Sequence, residues 1–339
     1  MSYAIALVGN PNVGKSTLFN GLTGGNQKVG NWPGVTVEVV EGNLVDHPDT
    51  RIIDLPGVYG FTAAAQDEML TRDFILSRQA DLVVNIADAG NLERNLYLTV
   101  QLLEAGIPTL LVLNMMDIAR NHGLEINIEE LETRLGIPVL PLCAHESKSV
   151  LRIAFTINDI LASGSTNPDL RVGTLHIDYH NEINEILKAW KPRFAELSRT
   201  LRAPPEWLAL RVLESDPWAE NAELGEVLGK EEILATQKKL KSILEEDADV
   251  LVAEARFAFI NGLLKQTIKI EKVRVSNTEK IDNIVLNRIF GIPIFLGIMF
   301  LVFNMTIILG GAFIDFFDMF IGALLVKAPS YFLASWGAP

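Results

Sequence analysis

The chain has 339 residues, about half of them apolar, and a formal net charge of −13. That length allows two or more domains with a sizeable buried core, whereas the acidic balance argues against a nucleic-acid partner, whose phosphates are held by lysines and arginines. The lone Cys143 excludes an internal disulfide framework and agrees with a reducing cytosol, and residues 1–8 lack the basic start and small-residue cleavage site of a secretory signal.

Residues 4–8 read as a short apolar strand and 16–22 as the opening of a helix, with Gly9-Asn10-Pro11-Asn12-Val13-Gly14-Lys15-Ser16 between them. These positions match GxxxxGK[ST], a loop whose glycines let successive N–H groups and the helix N-terminus point at phosphate oxygens. Lys15 would reach the β and γ phosphates, the Ser16 hydroxyl would bind Mg²⁺, and Thr17 follows on the same turn. An ordinary glycine-rich turn is the alternative, which the strand before and the helix after disfavour.

Apolar runs at 4–8, 37–45, 51–55, 82–87, 109–114 and 139–142 alternate with helical patterns as far as about residue 161, which predicts βαβ units and a mostly parallel sheet with helices on both faces. The runs 37–45 and 51–55 read as an antiparallel edge hairpin joined by a loop carrying Pro48 and Asp49. In such sheets ligands bind at the carboxyl ends of the strands, so the residues found there are the informative ones.

Asp54-Leu55-Pro56-Gly57 closes one strand, placing a carboxylate where it would hold Mg²⁺ through water and a Gly57 N–H where it would meet a γ-phosphate. Asn114-Met115-Met116-Asp117 closes another and follows NxxD, in which the carboxylate accepts both guanine N1–H and N2–H₂. Alone, NxxD also reads as a helix cap after a strand. Its position after a phosphate loop and a DxxG makes guanine the base.

In this order the motifs resemble those of the Ras-like and Era-like GTPase superfamily, with Gly9 to Ser16, Thr36, Asp54 to Gly57 and Asn114 to Asp117 matching its successive guanine-nucleotide motifs. The resemblance implies an α/β P-loop GTPase domain, and it makes Thr36, with Gly34 and Val35 before it, the threonine that joins Mg²⁺ and the γ-phosphate in the GTP state. Two departures stand out. The lysine of NKxD is Met115 here, and the Ser-Ala of the last base-contacting loop is Cys143-Ala144, whose N–H groups would still reach the guanine oxygen.

Ras-like enzymes place a water-orienting glutamine directly after DxxG, where this chain has Val58. Asn12 resembles the asparagine that helps bind K⁺ in potassium-activated members of the superfamily. K⁺ held by Asn12 and by carbonyls of Gly30 and Trp32 would then stand where others use an arginine finger. The alternative is a loop asparagine satisfying local backbone. Asn12, Lys15, Thr36 and Gly57 are the catalytic candidates, and Ser16, Thr36 and Asp54 the Mg²⁺ ligands.

Gly30-Asn31-Trp32-Pro33-Gly34-Val35-Thr36-Val37-Glu38, Asp54-Leu55-Pro56-Gly57-Val58-Tyr59 and Asn91-Leu92-Glu93-Arg94-Asn95-Leu96-Tyr97-Leu98 together closely resemble the cytoplasmic GTPase domain of the FeoB family of bacterial ferrous-iron transporters. Phe61-Thr62-Ala63-Ala64-Ala65-Gln66 departs from the Ser/Pro-rich run common there.

Beyond Gly164-Ser165-Thr166-Asn167-Pro168, a linker by composition, helical periodicity takes over, predicting helices over 181–201, 204–213, 230–245 and 248–272. By themselves they say only that this region is an all-α bundle. The resemblance makes it the domain that slows GDP release. His176 and His180 are four apart, and a solvated helix start competes with a metal pair that has no further ligand in clear spacing.

Residues 289–314 carry no charge, long enough for a membrane-spanning helix, with a buried core helix as the alternative. Lys280 and Arg288 place its N-terminal end in the cytoplasm. Asp315 and Asp318 are expected beyond the span, and residues 312–326 read as an interfacial or re-entrant segment. The expected organisation is a GTPase domain over 1–165, a helical domain over 166–275 and a membrane-proximal segment over 276–339, with the first transmembrane helix near 289–311.

The resemblance implies a Mg²⁺-dependent, K⁺-stimulated GTPase module of an Fe²⁺ transporter in the bacterial inner membrane, residues 1 to about 288 being cytoplasmic and most pore helices lying beyond Pro339. GTP, GDP, Mg²⁺ and K⁺ are the expected cofactors, with Fe²⁺ as cargo that has no identified site in these residues. The lipid bilayer, a second copy of the chain and small cytoplasmic accessory proteins of iron uptake are the candidate partners. An Era-like GTPase of RNA or ribosome assembly and a membrane-tethered scaffold without transport are the alternatives.

Overall fold

The computed structural model describes residues 2–25, 27–31, 38–61, 65–142, 147–163, 175–221, 224–270, 285–287, 291–327 and 329. Its strands are β1 Tyr3–Gly9, β2 Gln27–Asn31, β3 Glu38–Leu44, β4 His47–Asp54, β5 Leu82–Asp88, β6 Thr109–Asn114, β7 Leu124–Ile126, β8 Val139–Pro141 and β9 Ile268–Ile270. The helices of the first half are α1 Lys15–Thr23, α2 Gln66–Leu76, α3 Leu92–Glu104, α4 Met116–Asn121, α5 Ile128–Leu135 and α6 Ser147–Ser163. Those of the second half are α7 Asn181–Trp190, α8 Ala195–Leu201, α9 Pro205–Leu213, α10 Pro217–Asn221, α11 Lys230–Leu244, α12 Ala248–Thr267 and α13 Gly291–Ile321.

The main sheet runs β2-β3-β4-β1-β5-β6-β8. From β4 onward every pairing is parallel, while β2, β3 and β4 form an antiparallel meander at one side. β1, β5 and β6 read as nearly unbroken apolar runs because helices cover both of their faces. On one face Leu18, Phe19 and Leu22 of α1 meet Ile153 and Ile157 of α6 over Leu7, Val84 and Leu110. On the other, Phe74 of α2 and Leu98 and Leu102 of α3 continue into Ile183, Trp190, Phe194 and Trp207, so sheet and helical region share one core.

Three expected boundaries move. The β3–β4 turn falls at Val45 and Asp46, with Asp46 at φ 63, so Pro48 and Asp49 belong to β4. Pro48 is tolerated because the ladder slips beside it: Leu44 pairs His47 while Asn43 pairs Arg51. The helix expected over 181–201 breaks into α7, a 3₁₀ turn at Lys191–Phe194 and α8, since Pro192 cannot donate its N–H to an α-helical ladder. The helix expected to reach 272 stops at Thr267, where β-branched Ile268 and Ile270 pair with β7 instead. That small sheet ties the end of the helical region to the first half of the chain.

Two compact units result, Met1–Lys272 and Val273–Pro339. In the second, α13 carries the apolar run and continues through Asp315 and Asp318, so residues 312–321, expected to belong to a separate interfacial or re-entrant segment, extend the same helix. Its 31 residues rise about 46 Å at 1.5 Å each, against a hydrocarbon core of about 30 Å, so it exceeds a span with its acidic turn at one end. The 35-residue stretch Gly291–Leu325 is long and apolar enough to cross a membrane and is unburied within the structure.

Candidate nucleotide-binding site

Between β1 and α1 the chain reverses through Asn12 at φ 67 and Gly14 at φ 89, left-handed conformations that glycine adopts without strain. A Cβ on Gly14 would lie 2.3 Å from the Asn114 Nδ2, and one on Gly57 3.1 Å from the Pro11 nitrogen. A side chain at Gly14 would thus collide with the Asn114 amide and be strained by its φ, and one at Gly57 would crowd Pro11. The Asn114 amide donates to the Val13 carbonyl at 2.8 Å, and the Val58 N–H to the Gly9 carbonyl at 3.0 Å. In this way the loop is bonded to the segments carrying both other motifs.

Lys15, the first residue of α1, pairs its ammonium with one Asp54 carboxylate oxygen, and the Ser16 hydroxyl donates to the other at 3.3 Å. A cation, a carboxylate and a hydroxyl therefore meet at the ends of β1 and β4 beside a helix N-terminus. Thr17, Pro11 and Asn12 are exposed, and Gly57 and Pro56 half-buried. Val13 and Leu55 turn their side chains into the core, and Asn10 directs its amide to the Arg94 carbonyl at 3.5 Å, which leaves these three their backbone groups for a ligand.

At the end of β6, Met115 sits at φ 61 and starts α4, whose first turn presents Asp117 to solvent. Met116 is buried in the core formed by α3, α5 and α12, so only its backbone remains available to a base. Gly30 lies in β2, paired with Val39, rather than in a loop. Trp32, Gly34, Val35, Thr36, Cys143 and Ala144 lie outside the described residues. Val58 is 1 % exposed and faces the core, so its side chain has no path to an attacking water. His180 faces Glu182 at 2.7 Å, and no group of three metal-ligating side chains occurs among the described residues.

Sequence reasoning missed a second charged cluster, beneath the helical region. Arg256 on α12 donates to Glu104 of α3 at 2.7 Å and to Glu214 at 3.0 Å. Arg211 joins Glu214 to Asp216, and Arg72 of α2 stands 4.0 Å from Asp216. Burial alone would lower Arg256, but Glu104 and Glu214 overcome it and hold the guanidinium well above its ordinary value. The Tyr179 hydroxyl, which donates to Glu104, is raised well above the usual phenol range by burial and then by that carboxylate. On the same helix as Arg72, the Thr71 hydroxyl donates to the Pro56 carbonyl at 3.1 Å, within DxxG. The available sequence signal was arginines and glutamates lying in otherwise apolar helix stripes.

A phosphate loop bonded on one side to a DxxG segment and on the other to an NxxD strand end, at the carboxyl edge of this sheet, defines a P-loop guanine-nucleotide-binding protein. Residues 3–157 match the family described as ferrous iron transport protein B, and residues 179–269 the FeoB cytosolic helical domain. The Fe(2+) transporter FeoB of Escherichia coli is 39% identical over 339 residues, an alignment covering 95% of this chain and 41% of that protein. A mutant of S. thermophilus NFeoB bound to GDP superposes with a TM-score of 0.69 at 34% identity, covering 79% of this chain and 100% of that one. Another, bound to GMPPNP, gives 0.62 at 34% identity, covering 78% and 99%. The chain belongs to the FeoB family, and it spans about two fifths of the length of the curated relatives it matches.

Proposed function

We propose that the chain is the GTP-binding and GTP-hydrolysing cytoplasmic part of a ferrous-iron transporter, joined to a membrane segment. The observation that carries this reading is the union of three guanine-nucleotide motifs in one cleft, in a chain whose solved relatives hold GDP or GMPPNP. The N–H groups of the loop Gly9 to Ser16 and the start of α1 cradle the β-phosphate. Lys15 exchanges its Asp54 partner for phosphate oxygens. Asp117 accepts the two guanine N–H donors, with Met115 lying over the base in place of a lysine stem and the backbone of Cys143 and Ala144 at its oxygen.

The hard oxygen donors Ser16 and Asp54, which converge beside Lys15, fit Mg²⁺, with Thr36 as the third residue of that set. Bound there, Mg²⁺ neutralises charge on the outer phosphates. The Gly57 N–H meets the γ-phosphate. Because Val58 is apolar and turned inward, the attacking water is oriented by a group other than the side chain following DxxG. Asn12, exposed on the loop, supports K⁺ as the further positive charge, with Gly30 and Trp32 carbonyls completing its set. Equal GTPase rates in KCl and NaCl would remove the potassium proposal.

The proposed organisation is a nucleotide domain over 1–165, a helical domain over 166–275 and a membrane-proximal part from 276, in a bacterial inner membrane with the N-terminal portion in the cytoplasm. The covered family regions and the unburied apolar α13 support it. The purine carries the decisive test. In the full chain held in detergent, Asp117→Ala should lower the preference for guanosine over adenosine nucleotides about 100-fold, as the guanine N–H pair loses its acceptor. An unchanged preference would overturn the assignment.

A further inference from the structure

The segment after DxxG runs along one face of α3, residue by residue. The Arg94 guanidinium lies 4.1 Å from the centre of the Tyr59 ring. Gly60 lies against Tyr97 so closely that a Cβ there would stand 3.3 Å from the ring and 2.6 Å from the Gln101 Oε1. The Phe61 N–H donates to that same Gln101 oxygen at 2.8 Å. Positions 94, 97 and 101 fall within one narrow stripe of a helix, and they meet 59, 60 and 61 in order. Gln101 and Phe61 are both buried, so the last hydrogen bond is shielded from water. At the other end of the segment the Val58 N–H donates to the Gly9 carbonyl and the Thr71 hydroxyl to the Pro56 carbonyl, so Gly57 lies between these two bonds while the α3 stripe holds the residues that follow it. The Tyr97 ring also stacks on Phe257 of α12 with ring centres 4.8 Å apart, so the stripe is itself braced.

We propose that Arg94, Tyr97 and Gln101 are positioning residues that set the Gly57 N–H for the terminal phosphate, and thereby the preference of the site for nucleoside triphosphate over diphosphate. The inference rests on the reading above that Gly57 meets the γ-phosphate. A diphosphate has no group at that place, so moving Gly57 leaves its affinity alone while weakening the triphosphate. The residues lie outside the three nucleotide motifs, and they act through the backbone of residues 57–61.

The test uses the full chain in detergent, with affinities for GDP and for a non-hydrolysable GTP analogue measured by fluorescence. Arg94→Ala and Tyr97→Ala should each weaken the analogue about five- to tenfold and GDP less than about twofold, the size expected of one misplaced hydrogen bond. Tyr97→Phe should restore the ratio, since the ring and not the hydroxyl packs on Gly60. Gln101→Leu should act in the same direction. Should that variant fail to fold, the exposed Arg94 and half-buried Tyr97 still decide the matter. A parallel fall for both nucleotides, or no change in either, would overturn the proposal, since a merely structural stripe predicts one or the other. Gly57→Ala separates the two levels: if it leaves the ratio unchanged, the reading of Gly57 fails and the proposal with it. If it collapses the ratio while Arg94→Ala and Tyr97→Ala do not, the proposal alone fails.

Discussion

The carboxyl end of the sheet and the charge cluster beneath the helical region use the same side chains to opposite ends. At the sheet, Lys15, Asp54 and Ser16 meet beside exposed loops, and Asp117 stands exposed with no fixed partner among the described residues. Under the helices, Arg72, Arg211 and Arg256 face Glu104, Glu214 and Asp216, with the side chains of all six covered from solvent. Charges near water can exchange one partner for another at small cost, whereas a sealed pair that loses a partner leaves an ion in a medium that cannot solvate it. The first arrangement suits a site that takes up and releases an anion. The second holds α2, α3, α9 and α12 in one register, so that the helical region stays fixed on the nucleotide half.

The sharpest way to break this comparison is Arg256→Ala, which strands Glu104 and Glu214. It should destabilise the protein by about 3–5 kcal/mol in urea unfolding followed by circular dichroism, with guanine-nucleotide affinity little changed under native conditions. A folded variant that no longer binds nucleotide would show that the two clusters are not separable. Next in size, Lys15→Ala should cut GTP turnover about 10²- to 10³-fold, as loss of a single phosphate-facing donor does. Its stability should fall by only about 1 kcal/mol, the value of a partly solvated pair. A large stability loss would move Lys15 into the structural class.

The smallest effect sharpens the buried side. Tyr179→Phe removes one hydroxyl from Glu104 and should cost about 1 kcal/mol at neutral pH. Because the folded phenol holds its proton above the ordinary value of about 10, its contribution is present in full below that pH and is lost as the pH climbs through the raised value. Alkaline titration of stability should therefore be steeper in the parent than in the variant. Parallel curves would remove Tyr179 from the network.

Much of the site was legible because its chemistry is local in the chain. Eight consecutive residues make the phosphate loop, and Asp54 to Gly57 and Asn114 to Asp117 are each four, so spacing alone names the donors and acceptors. The central strands were legible for a related reason, since apolar runs long enough to be covered on both faces leave few other folds. Less legible was β2, a short edge strand rich in small and polar residues, and the shift of Pro48 into β4 depends on a ladder slip that composition does not encode. The break at Pro192 was written in the chain and passed over, because periodicity on either side of it was strong.

What the sequence determined by itself is the phosphate loop, the NxxD motif at a strand end and the apolar run that became α13, since each depends on contiguous residues and their order. Only tertiary structure decided that Val58 faces inward, that Asp315 and Asp318 continue the same helix, and that Glu104 meets Arg256, 152 positions away. Contacts of that kind arise from which helix faces are packed together, and a charged residue within an apolar stripe does not disclose its partner until both faces are buried.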